Sequence, residues 1–148
     1  MGANHPGEIR TLTNIACPNY GVITNVGKAH IEGFGSFEGV IQTKCELYDY
    51  LKDSGGKAFV NQTNAILKKE AESRQLSVIK YAGENSPEIV SCAPFLTVSY
   101  QGKTIETQLI GRYNLENILT AIKIGEYFKV DENEIIEALE EYIPNNNR

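Results

Sequence analysis

No run in the 148 residues is apolar for the roughly 20 positions that a membrane-spanning helix requires, so a membrane span is not expected. The polar start Met1-Gly2-Ala3-Asn4-His5-Pro6 has no signal-peptide core, and Pro6 stands where a myristoylation pattern wants Ser or Thr. Cysteine is scarce. Cys17, Cys45 and Cys92 are odd in number, far apart and without CxxC spacing, which speaks against a disulfide framework or a zinc site and for a reducing, cytoplasmic setting. An excess of basic charge is also missing. Lys and Arg total 14 against 19 Asp and Glu, giving a net charge of −5, with the acid gathered late in Asp131-Glu132-Asn133-Glu134, Glu137, Glu140 and Glu141. A nucleic-acid surface is therefore not expected. There is no internal repeat or low-complexity tract. The sequon Asn61-Gln62-Thr63 has no secretory signal to accompany it and is read as chance.

What is present is one domain's length of ordinary globular composition, 41% hydrophobic and 22% charged, enough to bury a core. Gly7 to Ala16 reads as a short helix or turn packed by Ile9, Leu12 and Ile15. Tyr20 to Val26 reads as a short, mostly apolar strand, and a helix follows from Phe37 with Ser36 as its N-cap. Asp53-Ser54-Gly55-Gly56 ends that helix, Lys57 to Asn61 is a second strand, and Thr63 or Asn64 caps a helix over Ala65 to Gln75. Ser77 to Tyr81 is a third strand. Strand, helix and strand at this spacing make a βαβ unit and hence a parallel sheet. After a loop over Gly83 to Pro87, Phe95–Tyr100 and Lys103–Ile110 alternate with period two around Gln101-Gly102, an antiparallel hairpin expected to add to that sheet. Two helices finish the chain. Leu115, Ile118, Leu119 and Ile122 form the apolar face of the first, which Asn114 is placed to cap; the second opens at Asp131 and buries Ile135, Ile136 and Leu139. The fold class is α/β, a mainly parallel sheet flanked by helices on both faces, with an antiparallel β-hairpin.

The candidate site lies between the first strand and the second helix. Asn25-Val26-Gly27-Lys28-Ala29-His30-Ile31-Glu32-Gly33-Phe34-Gly35-Ser36 leaves the carboxyl end of a strand, the crest where ligands bind in open α/β sheets. Phe37, Val40, Ile41, Leu47, Tyr48 and Leu51 share one helical face, and Lys44 falls in the middle of it. A lysine stem directed inward needs a partner or a function. His30 beside an inward Lys44, with Glu32 and Asn25, could hold a metal or a phosphate. The plainer alternatives are a Lys44 stem that snorkels to the edge and a His30 that is merely hydrogen-bonded. For Asn114 the plain reading is the helix cap, which leaves Asn117 in the first turn without an evident task.

Five spaced motifs carry a resemblance. Met1-Gly2-Ala3-Asn4 with Gly7-Glu8-Ile9, then Asn25 to Ser36, Lys44-x-Glu46, Gly111-x-x-Asn114-x-x-Asn117 and Asn147-Arg148 are similar, in that order, to the central ATPase domain of the Mur ligases. The opening most resembles the branch that adds D-alanyl-D-alanine to UDP-N-acetylmuramoyl tripeptide. The resemblance implies an ATP-dependent ligase in which ATP phosphorylates a carboxylate and an amine attacks the acyl phosphate, with Mg2+ neutralising the developing charge. It implies that His30 is a metal ligand and that Lys44 is carbamylated and so presents a carboxylate, both serving catalysis. It assigns Asn114 and Asn117 to the adenine and Arg148 to the nucleotide.

The chain departs from the family in having Cys45 where Gly is expected and in containing no GxxxxGK[ST] phosphate loop. The implied reading is residues 1–148 as part of a central ATP-binding domain, without the domain that binds the UDP-sugar and the domain that brings the amine, and inactive by itself. Folylpolyglutamate synthase resembles the same family but is disfavoured by Asn4 and Gly7-Glu8-Ile9. A different class of reading is a non-catalytic module in which His30 and Lys44 are structural and the acidic last helix docks a partner.

Overall fold

In the computed structural model, which describes residues 1–27, 34–83 and 86–144, the chain divides into two units, Met1–Tyr81 and the residues from Ala82 onward. No helix among the described residues is long and apolar enough to cross a membrane.

In the first unit, strands β1 (Tyr20–Val22), β2 (Lys57–Asn61) and β3 (Val78–Tyr81) form a parallel sheet in that order. Tyr20 stands opposite Lys57, and Ala58 opposite Val78. Helix α2 (Phe37–Ser54) joins β1 to β2, and α3 (Ala65–Ser73) joins β2 to β3, giving two successive βαβ units. Crossovers of one hand between strands added in one direction put their helices on one face. Accordingly α2 and α3 share a single core with β2, in which Ile41, Cys45, Tyr48 and Leu51 meet Ala58, Val60, Leu67 and Ala71. Helix α1 (Glu8–Ala16) packs in turn on α2. The central strand β2 is buried at every position after Lys57, as suits a parallel strand with neighbours on both sides.

Local chemistry explains the limits of α2. The Ser36 hydroxyl accepts from the Gly39 amide at 3.0 Å, and Gly55, with φ 72°, closes the helix in the left-handed conformation. Gly39 has to be glycine, because a β-carbon there would run into the Phe34 carbonyl oxygen. Asn64, of the two expected candidates, caps α3 by accepting from the Leu67 amide at 3.1 Å. In α1 the expected packing fails at Ile15, which is 76% exposed; Ile9 and Thr13, one turn apart, take the buried face instead.

The second unit has its own sheet. Strands β5 (Thr97–Tyr100) and β6 (Lys103–Glu106) form the expected hairpin, with Gln101 and Gly102 both at positive φ, as a tight two-residue turn requires. The hairpin does not add to the parallel sheet; it pairs antiparallel with β4 (Glu88–Ser91), a strand the sequence pattern does not announce. β4 is short and turns Val90 to solvent, so it lacks the apolar alternation that marks a half-buried strand. Helix α4 (Asn114–Tyr127) lays Ile118 and Ile122 on Val98, Tyr100 and Ile105. Helix α5 (Glu132–Glu141), capped by Asp131, contributes Ile135, Ile136 and Leu139 only as half-buried contacts, because it is an outer layer.

Candidate functional site

Past the end of β1 the chain continues through Ile23, Thr24 and Asn25, which together with Lys44 and Leu47 of α2 and Met1 and Ile9 of the opening segment line a cleft of about 280 Å3. Lys44 is half-buried on the core side of α2, as its place in the apolar period predicts. Its ammonium donates to the Asn25 carbonyl oxygen at 2.8 Å and reaches the Asn25 side-chain Oδ1 at 3.4 Å. Among the described residues no carboxylate pairs with it. Burial without a counter-charge lowers the Lys44 pKa, moving the amine toward its neutral form. Asn25 Oδ1 also accepts from the Gly27 amide at 3.4 Å, which turns the chain at the mouth of the cleft.

His30 and Glu32 lie outside the described residues, and so does Arg148. The expected sharing of one cleft by His30 and Lys44 therefore has only its Lys44 half on view. Among the described residues no group of three His, Cys, Asp or Glu side chains is gathered as a metal site.

Asn114 and Asn117 are brought together in the second unit. The Asn117 side-chain amide donates to Asn114 Oδ1 at 2.9 Å, and the Asn114 amide donates in turn to the Ile110 carbonyl at 2.9 Å. Asn114 is not the helix cap: Tyr113 occupies that position without a capping bond, and Asn114 is the first helical residue. Its Oδ1, the atom a cap would use, is taken by the Asn117 side-chain amide, while its own amide donates back toward the preceding loop. Asn117 stands at the edge of an apolar groove of about 410 Å3 lined by Leu109, Ile118, Ala121, Ile135 and Leu139. Such a groove suits a flat ring with a polar edge.

A model of the Mur ligase middle domain matches residues 1–125. The chain belongs to the Mur ligase family. UDP-N-acetylmuramoyl-tripeptide–D-alanyl-D-alanine ligase of Haemophilus influenzae is 33% identical over 132 residues, 84% of this chain and 29% of that protein. The ligase of the same name from Bacillus subtilis is 27% identical over 88% of this chain, again 29% of its own length. Among solved structures, MurF from Acinetobacter baumannii superposes over the whole chain with a TM-score of 0.79 at 23% identity, and the chain covers 34% of it. MurF from Thermotoga maritima, in complex with ADP, gives a TM-score of 0.66 at 23% identity over 97% of this chain and 35% of its own. The chain thus spans about 29% of the length of these curated Mur ligases.

Within the Mur ligase domain, Cys45, found where glycine was expected, is fully buried in the α2 core. Burial pushes its thiol up to about 12, so it is a packing residue and not a nucleophile. One polar residue has a role that the sequence did not suggest. Glu46, noted in the sequence only as part of Lys44-x-Glu46, lies outside the apolar stripe of α2, yet it is buried against α1. The available signal was an α1 start, Gly7-Glu8-Ile9, with no capping side chain of its own.

Proposed function

We propose that this domain is part of an ATP-dependent ligase of peptidoglycan synthesis, which joins D-alanyl-D-alanine to UDP-N-acetylmuramoyl tripeptide. The names of the curated relatives favour this substrate pair over that of folylpolyglutamate synthase. The chemistry is an amide ligation: ATP supplies the phosphoryl group that turns the tripeptide carboxylate into an acyl phosphate, and the amine displaces phosphate. A cytoplasmic setting accords with three free thiols.

The observation that carries the reading is Lys44, a half-buried amine at the end of β1 whose bonds go to Asn25 oxygens, with a pKa lowered by burial. A neutral amine is the form that adds carbon dioxide, giving a carbamate and a released proton. That reaction replaces a cation by an anionic oxygen donor beside the Asn25 carbonyl, the type of ligand Mg2+ accepts. On this reading carbamylated Lys44 and His30 would hold a magnesium ion. Asn114, Asn117 and Arg148 are the residues proposed to hold the nucleotide, and the apolar groove beside Asn117 is consistent with adenine.

The test is ADP release by the full-length ligase carrying Lys44→Ala, with UDP-muramoyl tripeptide and D-alanyl-D-alanine. The substitution should abolish most turnover while the fold survives, because Ala is the best helix former and only an amphipathic stem is lost. Added bicarbonate or a short carboxylic acid should restore part of the rate. Near wild-type turnover in the variant would end the carbamate assignment.

A further inference from the structure

Helix α1 begins in an unusual way. Its N-cap position is Gly7 with φ 86°, a residue with no side chain to satisfy the free amides of the first turn. Those amides are satisfied from a distance. The Glu46 carboxylate, buried on α2, accepts from the Gly7 amide with Oε1 at 2.8 Å and from the Arg10 amide with Oε2 at 2.9 Å. The Arg10 amide is the third of the helix, the one an ordinary N-cap side chain would take. Glu8 then reaches back and accepts from the Asn4 and His5 amides at 2.6 and 3.1 Å, fastening the residues that precede the helix.

The consequence concerns the cleft. Ile9, within this fastened segment, and Met1, three residues before Asn4, belong to the wall that shares the cleft with Lys44. Lys44 and Glu46 are two residues apart on α2, about 200° around the helix, so one helix presents the amine to the cleft and the carboxylate to α1. Resting on the ligase reading given above, we propose that Glu46 is a positioning residue: it sets the Met1 to Ile9 wall against Lys44 and touches neither substrate nor nucleotide. A carboxylate is required because both of its oxygens accept. A glutamine at that place keeps one acceptor and turns an amide donor toward an amide donor.

The experiment compares Glu46→Gln with Leu67→Val in the full-length ligase, the second substitution removing a methylene from the same core on the α3 side, away from the cleft. Both are assayed where circular dichroism shows them folded. Glu46→Gln should lower kcat about tenfold, the scale of a small misplacement at a reacting centre, while the KM for ATP stays within about twofold. Leu67→Val should keep the wild-type kcat. Amide exchange should quicken at Gly7, Arg10, Asn4 and His5 in the Gln variant only. Unchanged exchange there, or unchanged kcat, would overturn the proposal. Absence of ADP release by the wild-type enzyme would instead count against the ligase reading, and the exchange comparison, which needs no turnover, would still decide whether Glu46 holds the wall.

Discussion

Tyr48 is the residue whose environment is least comfortable. It is fully buried between α2 and the sheet, and its hydroxyl has no hydrogen-bond partner among the described residues. Burial raises its pKa, so the group is a neutral phenol that has left water without compensation. A buried unpaired hydroxyl costs about 1–3 kcal/mol, whereas the ring is fully used in packing. Tyr48→Phe should therefore raise stability by about 1 kcal/mol in urea unfolding of the chain; a loss would reveal a partner for the hydroxyl. Residues of this kind separate what a sequence discloses from what it hides. Lys44 was legible because the apolar period of its own helix dictates its direction, and Ser36 because a cap acts on a residue three positions away. Glu46 was not, because the amides it satisfies lie 39 and 36 positions earlier and no local period points to them. Asn114 is not the cap its position suggests because its Oδ1 accepts from the Asn117 side chain instead of a backbone amide.

Among elements, those with a signature in their own sequence were read correctly, the parallel strands included, and the one without such a signature, β4, was missed. The β5–β6 hairpin follows from alternation and a two-residue turn, and α2 from its stripe and caps. β4 acquires its identity only by pairing with β5, so its sequence alone resembles a loop. The hairpin is tied to α4 by a polar cluster: the Tyr100 hydroxyl donates to Glu126 at 2.6 Å and accepts from Lys123 at 2.6 Å, while Lys123 also meets Glu126 at 2.9 Å. Burial pushes the Glu126 carboxyl up, but the bonds from Tyr100 and Lys123 together outweigh it and hold the group below its ordinary 4.5. A carboxyl depressed in the folded state stabilises it above the unfolded value and loses that contribution as pH falls through the folded one. The pH window is therefore acidic, beginning near 4.5 and extending below it. Tyr100→Phe should be less stable than the parent at neutral pH, and the gap should narrow as the pH falls below 4.5 in urea unfolding followed at α4 amides. A gap independent of pH would show that the tyrosine contributes packing alone.

For the molecule as a whole, charge and length set the expectations. The net charge is −5, with Glu132, Glu134, Glu137, Glu140 and Glu141 along one helix, a face that repels polyanions. Catalysis is governed by a different accounting. Phosphoryl transfer needs the transferring group cradled by backbone amides and cations, and no GxxxxGK[ST] loop occurs in these 148 residues. The relatives devote the chain's counterpart to only 29% of their length, so on the proposed function the remainder must supply phosphate contacts and both substrate sites. We therefore expect that the 148 residues alone release no ADP above background when mixed with ATP, magnesium, the UDP-muramoyl tripeptide and D-alanyl-D-alanine. The full-length ligase under the same conditions should turn over. Circular dichroism of the isolated chain is the necessary companion measurement, because an unfolded chain would be silent for a trivial reason. Folded and silent is the expected outcome; turnover by the isolated chain would mean that Lys44, Asn25 and their neighbours suffice for the phosphoryl step and would overturn the division of labour argued here.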